Sequence, residues 1–192
     1  ILLNTIWKVL FLMNLPNLLT LSRIVLTVPA LLLLTAGNGT VLYFLSAVVF
    51  TVAALTDFFD GRIARKRGLV TDLGKFLDQL SDKILVTSIF LGFLTLSKVS
   101  VWFLFVMIFR DTMVSGIRML ASSQGRVIAA DFFGKAKTVS QMAFIGILYL
   151  NVIWGLFDPL LIVIIELLVA VLTLASGFNY LLKNLQIFKG GS

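Results

Sequence analysis

The chain has 192 residues, 59% of them hydrophobic and 13% charged, with a mean hydropathy of +1.06; this excludes an ordinary soluble domain and fits an integral membrane protein. It contains no cysteine and no histidine, which excludes disulfides, thiol nucleophiles, Ser-His relays, the usual zinc centres and haem held by imidazole. Sixteen Lys and Arg against nine Asp and Glu give a net charge of +7, read in so apolar a chain as loops facing an anionic membrane surface and anionic substrates, not nucleic acid.

At about 20 apolar residues per crossing, this length holds about six spans and no separate soluble domain. Residues 1–12 are apolar but too short to span, so 1–16 is read as an N-terminal interfacial segment, a leader remnant or vector-derived sequence. Residues 24–56 contain no charge, and Gly37-Asn38-Gly39 divides them into a first helix over 17–36 and a second over 40–66. The apolar runs 84–97 and 99–109 are too short alone. The third helix must therefore borrow the polar stretch 72–83, and the fourth must continue past Arg110 towards Ser122. Runs 138–157 and 159–182 supply the fifth and sixth, the last interrupted by Glu166. The expected fold is thus all-α and integral to the membrane, six transmembrane helices over 17–186, with 187–192 a tail ending in Gly190-Gly191-Ser192, which resembles a vector scar.

Cations in short connections set orientation. Arg62, Arg65, Lys66, Arg67 and Lys75 lie between the second and third helices, and Arg126, Lys135 and Lys137 between the fourth and fifth, whereas the opposite connections hold Lys98 alone. The basic connections and both termini are predicted to be cytoplasmic.

Five of the nine acidic residues fall within 57–82: Asp57, Asp60, Asp72, Asp78 and Asp82. Asp57 and Asp60 are three apart and Asp78 and Asp82 four apart, so each pair shares one helical face. Four converging carboxylates at a membrane edge repel one another unless protonated or joined by cations, and one or two divalent metals meet that need. Ligation by oxygen alone favours Mg²⁺, Mn²⁺ or Ca²⁺ over zinc. Gly61 and Gly74, placed inside helical segments at a cost of up to about 1 kcal/mol each, point to close approach of a ligand or another backbone. Arg65 adds fixed positive charge beside the carboxylates, an arrangement suited to holding a pyrophosphate.

Asp57-Phe-Phe-Asp60-Gly61-Arg-Ile-Ala64-Arg65, then eight residues, Gly74, three residues, Asp78, three residues and Asp82, resembles the CDP-alcohol phosphotransferase signature at every fixed position. The resemblance implies a membrane enzyme that moves a phosphatidyl group from CDP-diacylglycerol to an alcohol and releases CMP, as a homodimer embedded in membrane lipid. It also implies Asp57, Asp60 and Asp78 as ligands of Mg²⁺ or Mn²⁺, Asp82 as general base and ligand of a second metal, and Gly61, Ala64, Arg65 and Gly74 as the CDP pocket.

The acceptor is not encoded there. Met13-Asn-Leu-Pro16-Asn17-Leu-Leu-Thr20-Leu-Ser-Arg23 and the flank Val70-Thr-Asp-Leu-Gly-Lys75-Phe-Leu-Asp, continuing through Asp82-Lys83, resemble the branch whose acceptor is glycerol 3-phosphate. Gln79 and Ser81 stand where that branch commonly has Pro and Ala. Arg110-Asp111, Arg118, Gly134-Lys135-Ala-Lys137-Thr138 and Gln141 continue the likeness, and the last helix adds little. Arg110 and Arg118, eight apart, lie about 80° apart around an ideal helix and can border one cavity. With Lys135 and Lys137 they form a candidate pocket for the acceptor's phosphate. Arg110 paired with Asp111 also reads as a membrane-edge anchor, and the two lysines also read as orientation signals.

Asp72 reads as a helix cap, Arg126 as an anchor, Glu166 as a packing residue, and Trp7, Trp102 and Trp154 as an interface belt. Serine, inositol, inositol phosphate or phosphatidylglycerol are alternative acceptors, and a cation transporter using the same carboxylates is the alternative class. A bacterial plasma membrane, or less readily a mitochondrial inner membrane, is the expected location, with the site facing the cytoplasm.

Overall fold

A computed structural model describes residues 15–37, 39–67, 72–126, 128 and 132–189, and the side chains of 15–17, 19, 57–67, 72, 73, 75, 76, 188 and 189 fall outside that description. Among the described residues the protein is all-helical: α1 Leu15–Thr35, α2 Thr40–Arg67, α3 Asp72–Thr95, α4 Val101–Ser123, α5 Phe132–Trp154, α6 Pro159–Lys183 and the short α7 Gln186–Lys189. As expected, α3 begins in the acidic stretch and α4 runs past Arg110. Helix α5 starts six residues before the apolar run at 138, because Phe132 to Lys137 continue the helix into the basic segment. Trp7 and Asp131, and the side chain of Asp72, lie outside the described residues.

The chain divides into two compact units, residues 1–92 and 93–192, the division falling inside α3. In the first, α1 packs on α2 through Ala30, Leu34, Tyr43 and Phe50, and the Ser46 hydroxyl donates across to the carbonyl of Ala30 at 2.7 Å. A Cβ on Gly92 would stand 2.6 Å from Leu34 Cδ2 and 3.1 Å from Leu31 Cδ1, so glycine is what lets α3 approach α1 there. Gly37, with φ of 152°, ends α1 where the sequence placed the break.

In the second unit, α4 buries Phe103, Leu104, Met107, Arg110, Val114, Ile117 and Ala121, which from Leu104 onward recur every three or four residues and give one continuous stripe. Helix α4 ends in a Schellman motif: Arg126 N–H donates to the Ala121 carbonyl, Gly125 N–H to that of Ser122, and Gly125 takes φ of 71°. Contacts Ser100 to Glu166, Arg110 to Ser176, Arg118 to Tyr180 and Gln124 to Ile187 ascend together, so α4 and α6 run parallel.

Glu166, read from sequence only as a packing residue, has a defined partner. Its carboxylate accepts from the Ser100 backbone N–H at 3.0 Å and from the Ser100 hydroxyl, whose oxygen in turn accepts from Phe103 N–H. An acid on α6 thereby caps the positive end of α4. Glu166→Ala is expected to lower stability by about 1.5–3 kcal/mol, read as thermal unfolding in detergent, and Glu166→Gln by less.

Exposed surface is apolar, with Val25, Val28 and Leu32 on α1 and Leu167, Leu168 and Val171 on α6, while Glu166, Thr173 and Ser176 are buried. That inverts the pattern of a water-soluble protein. Helices α5 and α6 are each long and apolar enough to cross a bilayer, and residues 20–35 and 40–56 form shorter apolar helices. Together these features mark a membrane protein.

Candidate active site

In the first unit the site is built on α3, where Asp78, Ser81 and Asp82 fall within one turn and share a face. Arg23 reaches them from α1, its side chain fully buried. Its Nη1 donates to Asp82 Oδ1 at 3.0 Å and to Ser81 Oγ at 2.9 Å, and lies 3.6 Å from Asp78 Oδ1. The Ser81 hydroxyl passes its own proton to the Asp78 carbonyl at 2.9 Å. Serine at this position, a departure from the branch pattern, thus gives the guanidinium a second acceptor. A buried guanidinium needs such partners, since desolvating it without them is prohibitive.

Arg23 is the residue that sequence reasoning passed over as a site. The signal was present: between Lys8 and Asp57 it is the one charged residue, inside an otherwise apolar helix. An ionisable group in that setting marks function and calls for a partner of opposite sign.

The donor set of Asp78 and Asp82 is hard oxygen, and their carboxylates are 51% and 44% exposed and turned towards one cationic nitrogen. Two carboxylate oxygens already converging on a positive centre fit a divalent cation of the Mg²⁺ or Mn²⁺ type. Among the described residues no three carboxylates gather into a metal site; Asp57 and Asp60, with Gly61, Ala64 and Arg65, have side chains outside the description. Gly74 is half-buried in the first turn of α3.

The second unit carries a cationic cluster. Asp111 bridges two buried cations: Lys137 Nζ donates to both its oxygens at 2.8 Å, and Arg110 Nη1 to Oδ1 at 3.0 Å. Arg110 Nη2 donates to Ser176 Oγ at 2.6 Å. Arg118 Nε donates to the Tyr180 hydroxyl at 3.1 Å, with its guanidinium carbon 5.6 Å from the ring centroid. In this unit two buried donors, Arg110 Nε and Gln141 Nε2, meet no acceptor among the described residues. Gln141 is 2% exposed and one turn beyond Lys137, on the same face of α5. Among the described residues the cluster thus holds more donors than acceptors.

The structure therefore joins three of the four cations expected at the acceptor pocket to defined partners. Lys137 is tied to Asp111, Arg110 to Asp111 and Ser176, and Arg118 to Tyr180, whereas Lys135 is exposed and makes no hydrogen bond or ion pair among the described residues. Ser176, Tyr180 and Gln141 are not among the site residues expected from sequence; polar and small residues spaced three and four apart in an apolar last helix are the only trace of the first two, and Gln141 enters only through the likeness to the glycerol 3-phosphate branch.

The described residues thus form an all-helical membrane protein with a carboxylate face on one unit and a cationic cluster on the other. The family model for CDP-alcohol phosphatidyltransferase matches residues 13–177, and the chain belongs to that family. A CDP-diacylglycerol–glycerol-3-phosphate 3-phosphatidyltransferase of Bacillus subtilis (strain 168) is 34% identical over 188 residues, covering 92% of this chain and 97% of that protein. Proteins of the same name from Rickettsia bellii (strain RML369-C) and Rickettsia typhi (strain ATCC VR-144 / Wilmington) are each 36% identical, over 172 and 177 residues, covering 87% of this chain and 93% and 94% of theirs.

Proposed function

We propose that this protein transfers the phosphatidyl group of CDP-diacylglycerol to glycerol 3-phosphate, forming phosphatidylglycerophosphate and CMP. The observation that carries this reading is agreement along nearly the whole chain with relatives named for that reaction. The excess of buried donors around Arg110 and Gln141 supports an anionic acceptor over a neutral one.

Asp57, Asp60, Asp78 and Asp82 would hold Mg²⁺ or Mn²⁺, which when bound supplies Lewis-acid charge to the pyrophosphate. Asp82 takes the proton of the primary hydroxyl of glycerol 3-phosphate, whose oxygen attacks the phosphorus bearing the diacylglycerol group. The bridging P–O bond breaks and CMP departs with the electron pair, Arg65 offsetting its charge. Gly61, Ala64 and Gly74 shape the CDP pocket. Arg110, Arg118, Lys135 and Lys137 serve the acceptor's phosphate, Lys137 acting by way of Asp111. Six spans with cytoplasmic termini, the exposed Trp102 and Trp154 at the interface, and a homodimer complete the proposal.

The test is CMP release by purified protein from CDP-diacylglycerol with Mg²⁺ or Mn²⁺, comparing glycerol 3-phosphate with glycerol, serine and inositol. Release that depends on glycerol 3-phosphate and falls by about 10²–10⁴ in Asp82→Asn is expected. Release with another alcohol alone would move the acceptor, and ion flux in sealed vesicles without CMP release would replace the enzyme by a transporter.

A further inference from the structure

We propose that the last long helix, α6, is the positioning element of the acceptor site: Ser176 and Gly177 seat Arg110, and Tyr180 seats Arg118. This rests on the reading of those arginines as the groups that hold the acceptor's phosphate, and concerns what fixes them.

Three separate contacts support it. The Ser176 hydroxyl, 2% exposed with its residue, accepts from Arg110 Nη2 at 2.6 Å. Gly177 leaves room for the stem of the same arginine: a Cβ there would stand 2.8 Å from Arg110 Cγ and 3.3 Å from Met113 Cε. No real Cβ is tolerated at the shorter distance, so even alanine must displace the arginine stem or push α6 away. Tyr180, 3% exposed, holds Arg118 from two sides, by its hydroxyl to Nε and by its ring face under the guanidinium.

The spacing shows what these seats accomplish. Arg110 and Arg118 are eight residues apart on α4, about 12 Å along the axis, yet their anchors Ser176 and Tyr180 are four apart on the parallel α6, about 6 Å. Two long cationic side chains are thereby drawn towards a single turn of α6. Like charges gathered in this way repel. The nearby carboxylate, Asp111, is already shared with Lys137, so the cluster keeps net positive charge and Arg110 Nε keeps a hydrogen with no acceptor among the described residues. A phosphate dianion satisfies both the charge and the open donor. Positioning by α6 decides where that dianion is held.

The experiment measures KM and kcat for glycerol 3-phosphate, and KM for CDP-diacylglycerol, in the full-length protein and in Gly177→Ala, Ser176→Ala, Tyr180→Phe, Arg110→Lys and Arg118→Lys, with thermal unfolding in detergent for each. Tyr180→Phe keeps the ring and its packing and removes one hydroxyl, so it tests the seat where Gly177→Ala fails to fold. The expected result is KM for glycerol 3-phosphate raised about tenfold in the α6 variants, with KM for CDP-diacylglycerol changed less than about twofold. If the arginine variants raise that KM and the α6 variants do not, the positioning role is overturned and the acceptor reading stands. If the arginine variants leave it unchanged, the acceptor reading fails and the positioning role with it. Equal changes in both KM values, or losses that follow unfolding temperature, would make α6 a packing element and overturn the proposal.

Discussion

Arg23→Met is expected to slow CMP release about a hundredfold while raising the affinity for Mn²⁺. The guanidinium is fully buried and binds Asp82 Oδ1 and Ser81 Oγ while standing 3.6 Å from Asp78, so it fixes the direction in which both carboxylates point. A displacement of about 1 Å at a reacting group costs about 10² in rate, which sets the size of the expected loss. The stability cost is smaller than for a wholly buried pair, because the two carboxylates left behind are half-exposed and water can screen them. Electrostatics gives the metal readout its sign. A unit positive charge beside the proposed ligands repels a divalent cation, and its removal relieves that repulsion. Slower turnover with tighter Mn²⁺ binding, the latter by electron paramagnetic resonance of free Mn²⁺, separates positioning from simple loss of structure. Arg23→Lys, which keeps the charge on a single-point donor, is expected to recover the wild-type Mn²⁺ affinity and part of the rate. Loss of Mn²⁺ binding together with activity in Arg23→Met would show that Arg23 serves the fold and not the carboxylates.

Much of the helix layout was legible because charge and glycine interrupt an otherwise apolar chain. The break at Gly37, the start of α3 at Asp72 and the run of α4 to Ser123 all follow from where an apolar stretch is too short or too long to cross a bilayer. The family was legible from the fixed carboxylate spacing, which no structural demand of a helix would impose by itself. Partners were not legible. Arg23 could be seen to need an acid, but choosing Asp82 requires knowing that α1 lies against α3. Asp111 adjoins Arg110 in sequence, and only the fold brings Lys137 to it across 26 positions. Glu166 and Ser100 are 66 apart, and neither carries a local mark of the other. Ser176, Gly177 and Tyr180 were hidden for a different reason: small and hydroxylated residues are common in membrane helices, where they pack closely without any site.

Asp111 supplies the largest expected loss of stability. Its side chain is 16% exposed between Lys137 at 7% and Arg110 at 10%, so its removal takes one shared carboxylate away from two buried cations. Breaking a buried pair from one side costs about 3–5 kcal/mol, and here the remaining charges also repel each other. Asp111→Ala is accordingly expected to unfold well below the parent in detergent, and Asp111→Asn to lose less, since an amide oxygen still accepts from Lys137. The compensating change is Lys137→Met, which removes one of the two cations that shared the carboxylate. In the Asp111→Asn background it is expected to return more than half of the lost stability, a non-additive result measurable in a double-mutant cycle. Activity should not return with it. If Lys137 acts on the acceptor by way of Asp111, the double variant folds but keeps a raised KM for glycerol 3-phosphate, because Arg110 has lost the carboxylate that directs its Nη1. Strictly additive stabilities would mean that Asp111 and Lys137 do not depend on each other, and a normal KM in the folded double variant would remove this trio from acceptor binding.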